Sequence, residues 1–309
     1  MRRYRVTRRR ASEPSSAVWR QTDSNKTIVE WQVITRMAST EDRGLRVEGI
    51  ADYEFVRSLG AGSNGEFFLA RRPPRLPVDA EYVAVKVVGG TGEDAFRRAT
   101  RELKAFAAVR SPYLVTLYDA GQQAGVFYYS MEYLPGGSLA QPAERPSREA
   151  ALRAIACAAR AAQALHEQGI VHRDIRPGNV LLTEDGGKLS DLGLSQVLHP
   201  GATVTGMGGL SSVEFTDPAL LQGEKPTPGG DVWSLGATLH WVMTGTGLYG
   251  ELPTHDPLLT LRKVSSTPPR VSDDAEPAVA ELVRACIGDV AKRPTAAGLA
   301  DRLYQLAAG

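Results

Sequence analysis

The stretch Ile170-Val-His-Arg-Asp174-Ile-Arg-Pro-Gly-Asn179, followed by Asp191-Leu-Gly193, sets out three groups that one chemistry needs together. Asp174 can accept a proton from a hydroxyl. Asn179 and Asp191 supply hard oxygen ligands of the kind Mg2+ prefers. Asp191 follows a short apolar strand and precedes a glycine, which puts a carboxylate at a strand end, on the rim of a cleft. A turn-rich loop accounts for Gly178 and Gly193, but not for His-Arg-Asp, Asn and Asp-Leu-Gly in that order.

Upstream lie groups suited to phosphate. Gly60-Ala-Gly-Ser-Asn-Gly65 joins two strand-like runs, and glycines there let phosphate oxygens approach bare backbone N–H groups. Gly60, Gly62 and Gly65 also fit a dinucleotide fingerprint, but that requires a helix straight afterwards. Phe67-Phe-Leu-Ala70 reads as a strand instead, so the dinucleotide reading fails. In the alternating run Tyr82–Val88, Lys86 shares a face with Ala84 while Val83, Val85 and Val87 face the other way. Ala99, Glu102 and Phe106 fall on one helical stripe, so Glu102 flanks an apolar face. A Lys86–Glu102 pair would hold an ammonium beside the glycine loop; the alternative is a structural surface ion pair.

The remaining pattern predicts strands at Tyr53–Leu59, Glu66–Arg71, Tyr82–Val88, Leu114–Tyr118 and Val126–Glu132, with a proline-rich hairpin loop over 72–80. Thr91-Gly-Glu-Asp94 is a capping box opening a helix. Ser147 caps a second helix that Gly169 ends, short strands at Val180–Leu182 and Lys188–Ser190 follow, and helices are expected at Asp231–Met243, Ala278–Cys286 and Thr295–Leu306. The fold class is therefore α+β: a small β-rich lobe with one key helix, a larger α-helical lobe, and a cleft between them.

Charge and composition narrow the setting. Lys and Arg number 36 against 35 Asp and Glu, and 42% of residues are hydrophobic, which fits neither a disordered nor a fibrous chain. Residues 1–50 are net positive and 51–309 net negative, with six arginines in the first ten positions. That tail reads as a solvated, disordered extension; a nucleic-acid or anionic-surface arm is the other reading, and Met37 is an alternative start. No apolar run of about 18 residues predicts a spanning helix. Two distant cysteines, Cys157 and Cys286, speak against a disulfide framework or zinc cluster and for a cytoplasmic protein.

In this order, the glycine loop, Val83-Ala-Val-Lys86, Glu102, His172-Arg-Asp174, Asn179, Asp191-Leu-Gly193, Asp231-Val-Trp-Ser-Leu-Gly236 and Arg293-Pro-Thr-Ala296 resemble a eukaryotic-like (Hanks-type) bacterial serine/threonine protein kinase, from about Asp52 to Leu306. The resemblance implies a bilobal protein-kinase-like fold, with an extension over 1–50, an N-lobe over 51–134 and a C-lobe over 135–309. It implies ATP and Mg2+ (or Mn2+) as cofactors and protein substrates as partners, with a regulatory partner or the extension carrying the input signal. Gly60, Ala61, Gly62, Gly65 and Phe67 would cover the nucleotide, and Ala84 and Leu181 would sandwich adenine. Glu132, Tyr133 and Leu134 would form the hinge behind the gatekeeper Met131. Lys86, held by Glu102, would contact phosphates, and Asn179 and Asp191 would hold the metal. Asp174 would orient and deprotonate the substrate hydroxyl. His172 would pack with Phe106 and Leu192. Arg173 would pair with a phosphate on the activation segment, where Thr203, Thr205, Ser211 and Ser212 are candidate sites.

Four positions depart from the family pattern. Arg176 stands where Lys is usual, which predicts weaker catalysis. Phe67 replaces a small β-branched residue. Asp217-Pro218-Ala219 replaces Ala-Pro-Glu, removing the usual Glu partner of Arg293 and predicting a looser segment unless another acid substitutes. The run Gly288-Asp289-Val290 is one residue short. The alternative to an active kinase is a pseudokinase scaffold that binds ATP; a small-molecule phosphotransferase is disfavoured by the full activation segment.

Overall fold

The computed structural model describes residues 49–62, 65–88, 93–191, 210–253 and 256–309. The basic extension with Met37, the start of the capping box at Thr91, and Leu192, Gly193, Thr203 and Thr205 lie outside the described residues. Ser211 and Ser212 are described by their backbone alone, within a 3-10 helix at Leu210–Phe215.

The first lobe is an antiparallel six-stranded sheet: β1 (Gly49–Ile50), β2 (Tyr53–Gly62), β3 (Gly65–Arg71), β4 (Tyr82–Val88), β5 (Leu117–Gln123) and β6 (Val126–Glu132), in the order β1-β2-β3-β4-β6-β5. The period-2 pattern of β4 has a direct outcome. Val83 and Val85 enter a cluster with Tyr53, Leu76 and Tyr128 on the outer face. Ala84 and Val88 enter the core on the inner face, with buried Lys86 between them. Both faces are covered, so the strand is apolar throughout except at the lysine. Helix α1 (Glu93–Ala108) lays Ala99, Leu103 and Phe106 on that inner core.

One predicted strand moves. Leu114 makes only an isolated parallel bridge to Leu189, and β5 begins three residues later. Asp119, buried inside β5, disguised it. Its carboxylate accepts from Tyr53 Oη (2.7 Å) and pairs with Arg75 Nη2 (2.6 Å), so an acid that usually marks a turn sits in a sheet.

The second lobe is helical around a short hairpin, β7 (Val180–Thr183) and β8 (Gly186–Leu189). Helix α2 (Arg148–His166) starts where Ser147 Oγ accepts from Ala150 N at 3.1 Å, and its alanine-rich surface packs against β8 and two later helices. After the single-turn α3 (Pro218–Leu221) comes α4 (Pro228–Thr244), capped by Thr227 and ended by Gly245 in the left-handed region at φ 72°. Residues Asp231 to His240 of α4 are all buried, which explains an apolar pattern on every face. Helices α5 (Pro257–Ser266), α6 (Pro277–Ile287) and α7 (Ala296–Ala308) complete the lobe. The sequence pattern missed α5 because Leu258 and Leu259 lie on its exposed side, 70% and 48% accessible, and break the apolar stripe. One core runs continuously from Ala84 and Phe106 through α2 to α7, so the two lobes share it.

Candidate active site

A cleft of about 390 Å3 opens between the lobes. Its roof is Gly60, Ala61 and Phe67 with Ala84; its back is Met131 to Leu134; its floor is Leu181, with Arg176 and Asn179 at one end. Gly60 has φ 118°, a conformation side-chain-bearing residues rarely adopt. Gly65 serves the sheet as well as the loop: a Cβ there would sit 2.2 Å from Val87 O. Gly62 closes the hairpin opposite Gly65. At the back, Glu132 accepts from Lys188 Nζ (2.7 and 2.9 Å) and from Thr116 N (2.7 Å), fastening the crossover to β8.

Behind Phe67, the lysine takes a partner other than the expected one. Lys86 pairs with Asp191 Oδ2, and Tyr129 Oη donates to Asp191 Oδ1. The Phe67 ring lies 4.8 Å from Lys86 Nζ and closes the group from the cleft side. Glu102 instead meets Arg173 Nη1 at 3.5 Å. The expectation that Glu102 holds Lys86 is therefore corrected: two cations and two carboxylates share this region, and the buried ammonium goes to the deeper acid. Burial pushes the Asp191 carboxyl up, but Lys86 and Tyr129 outweigh it and leave it below the usual carboxylate range. Tyr129 is pushed well above the ordinary phenol value, first by burial and then by Asp191, so it stays a donor.

The 170–179 loop is held from below. Asp231 of α4 accepts from His172 N (2.8 Å), Arg173 N (2.9 Å) and His166 Nε2 (2.8 Å). These bonds stabilise the left-handed Arg173 (φ 72°), while Asp191 is left-handed too, at φ 64°. His172 is fully buried with its ring edge-on to Phe106, centroids 6.5 Å apart, and burial keeps it below its ordinary pKa despite nearby carboxylates. It is a packing group. Asp174 receives Asn179 Nδ2 on its carbonyl (2.7 Å) and on Oδ2 (3.0 Å), and Oδ1 lies 3.5 Å from Arg176 Nε. Burial raises the Asp174 carboxyl, offset in part by Arg176. With Nδ2 of Asn179 committed to Asp174, its amide oxygen and the Asp191 carboxylate, the latter in competition with Lys86 and Tyr129, are the hard donors a cation would take. That set suits Mg2+, which commonly takes one or two protein oxygens and completes its shell with substrate phosphates and water. Among the described residues no group of three or more His, Cys, Asp or Glu gathers into a dedicated metal cage.

The expected loss of an acid opposite Arg293 is also corrected. Arg293 Nη1 donates to Asp217 Oδ2 at 2.5 Å, both side chains 8% exposed, and also to Gly229 O at 2.9 Å. Asp217 additionally caps α3 through Ala219 N (3.1 Å). The acid thus comes from two positions earlier than the family pattern. The short Gly288-Asp289-Val290 run aids this: Gly288 O accepts from Arg293 Nε (3.1 Å), and Asp289 caps a 3-10 helix over Val290–Lys292. Sequence reasoning did not assign roles to Asp231 or Tyr129. Asp231 was visible only as part of a helix block; Tyr129 was hidden in an apolar strand, although its register opposite Lys86 would have exposed it.

Two lobes clasping a cleft, with an Asn179–Asp174 pair at one end and a Lys86–Asp191 pair behind its roof, define a protein kinase scaffold. A family model described as "Protein kinase domain" matches residues 53–304, and the chain belongs to that family. It is similar to bacterial kinases of the eukaryotic-like kind. It is 31% identical over 232 residues to serine/threonine-protein kinase PknJ of Mycobacterium tuberculosis, covering 72% of this chain and 39% of that protein. With serine/threonine-protein kinase PknK of the same species the identity is 32% over 265 residues, 82% of this chain and 23% of the relative. With serine/threonine-protein kinase PknB of Mycolicibacterium smegmatis it is 32% over 267 residues, 83% and 41%. The chain spans less than half the length of these relatives. No described helix is long and apolar enough to cross a membrane.

Proposed function

We propose that the chain is an ATP-dependent serine/threonine protein kinase that transfers the γ-phosphoryl group of ATP, with Mg2+ or Mn2+, to Ser/Thr hydroxyls of protein substrates. The observation carrying this reading is that Asn179, which lines a cleft with Gly60, Ala84, Met131 and Leu181, bonds Asp174, while Lys86 pairs with Asp191 behind Phe67 of the same cleft. Residues 51–134 act as the nucleotide-clamping lobe and 135–309 as the substrate lobe. Ala84, Leu181 and the 132–134 backbone would hold the adenine. Asn179 and Asp191 would hold the metal, which would supply positive charge beside the phosphates.

Asp174 is the group that orients the acceptor hydroxyl and takes its proton; the Asn179 bond aims its carboxylate. Arg176 stabilises charge beside Asp174 as a planar guanidinium rather than a compact ammonium. Arg173 awaits a phosphate on Thr203, Thr205, Ser211 or Ser212, introduced by autophosphorylation, and its present partner Glu102 is then released toward Lys86. The free, buried thiols of Cys157 and Cys286 support a cytoplasmic setting, and the basic extension is the candidate contact for a regulatory partner.

The test is phosphoryl transfer from labelled ATP to the chain itself and to a basic protein, comparing wild type, Asp174→Asn and Arg176→Lys. Label that disappears in Asp174→Asn and rises in Arg176→Lys is expected. Silence in all three with ATP still bound would replace the reading by that of an ATP-binding scaffold.

A further inference from the structure

Strand β6 turns Phe127, Tyr129 and Met131 toward the shared core, paired with Val88, Lys86 and Ala84 of β4. Phe127 and Met131 are purely apolar, and only Tyr129 brings a hydroxyl into that layer. Tyr129 is 1% exposed, so the hydroxyl cannot be solvated and must find an internal acceptor. The acceptor is Oδ1 of Asp191, whose other oxygen is taken by Lys86. Both carboxylate oxygens of a proposed metal ligand are thereby bound by internal donors.

We propose that Tyr129 is a positioning residue that turns Asp191 inward onto Lys86 and so sets the metal concentration at which the nucleotide site loads. The inference rests on the kinase reading above, through the assignment of Asp191 as a metal ligand. Its physical basis is competition. A carboxylate oxygen receiving a buried phenol hydrogen bond offers less charge to a cation, and a buried bond to a charged acceptor is among the stronger ones. Lys86 stays on the other oxygen of Asp191, and Glu102 is on Arg173. Weakening the Tyr129 bond therefore favours metal loading at Asp191.

The experiment compares the full chain with Tyr129→Phe, which removes the hydroxyl and keeps the ring, and with Tyr129→Leu, which supplies apolar bulk by another shape. Binding of Mn2+ is followed by electron paramagnetic resonance of the free ion in the presence of a non-hydrolysable ATP analogue. Nucleotide affinity is measured separately with a fluorescent ATP analogue in excess chelator. The expected result is a fall in the apparent Mn2+ dissociation constant of about ten- to a hundredfold in both variants, the value of one hydrogen bond to a charged group. Chelator-state nucleotide affinity should stay within about twofold. A purely structural role for the hydroxyl would move the two affinities together or neither. Unchanged or weaker Mn2+ binding in the variants, with wild type loading normally, overturns the proposal and leaves the kinase reading standing. Wild type that binds neither nucleotide nor Mn2+ overturns both.

Discussion

Replacing Asp217 by alanine tests whether this acid has taken over the anchoring of Arg293. The pair is buried on both sides, 8% exposed, with a 2.5 Å contact. Removing one partner of a buried ion pair costs about 3–5 kcal/mol, because the remaining charge is left uncompensated. Arg293 keeps the carbonyls of Gly229 and Gly288, which points to the lower end of that range. The lost cap on Ala219 N adds about 1 kcal/mol. A total near 4 kcal/mol corresponds to a fall in Tm of about 8–16 °C for a chain of this size. Differential scanning calorimetry reads it directly. Asp217→Asn separates the terms, since Asn caps as well as Asp but carries no charge; it should recover about 1 kcal/mol relative to alanine. Adding Ala219→Glu to Asp217→Ala should restore part of the loss, because Ala219 and Arg293 both line a cavity of about 420 Å3 into which the new carboxylate can reach. Asp217→Ala and Asp217→Asn both melting within about 1 °C of wild type would refute the anchoring argument.

Phe67→Val removes the ring that covers Lys86 and roofs the cleft; nucleotide affinity by fluorescence titration should rise several-fold, since Lys86 is no longer held by a cation–π contact worth about 0.5–2 kcal/mol. Gly65→Ala should lower stability by more than about 2 kcal/mol in urea unfolding, because its Cβ would lie 2.2 Å from Val87 O at φ 159°. Stability should fall with acidification. Burial holds His172 and His240 below their ordinary value of 6.5, so below that pH the unfolded chain binds protons that the folded chain refuses, and folding free energy declines until the folded values are reached. Urea midpoints across about pH 7 to 5 should therefore drop, and His240→Gln should make the decline shallower.

How much of this was legible beforehand divides by the range of the interaction. Tyr82–Val88 and Val126–Glu132 were read from β-branched and aromatic runs with the bounds they have in the fold, and Ser147 was read as a cap, because those signals are carried by neighbours in the chain. The strand at Leu117–Gln123 was not, since its acid is satisfied by Tyr53 and Arg75 from distant segments. The same limit governs the site.

The amino-acid sequence alone determined which chemical groups are present and in what order: a glycine turn, Lys86, Glu102, Asp174, Asn179, Asp191 and a helix carrying Asp231. Only the tertiary structure decided who pairs with whom. Lys86 chose Asp191 over Glu102, Arg293 found Asp217, and Tyr129 found Asp191, each across more than sixty residues of chain. Charge pairing carries no local pattern. Several acids can satisfy a given cation equally well in sequence, and the choice falls to whichever lies at hydrogen-bonding distance once the sheet register and the lobe core have removed the competing water.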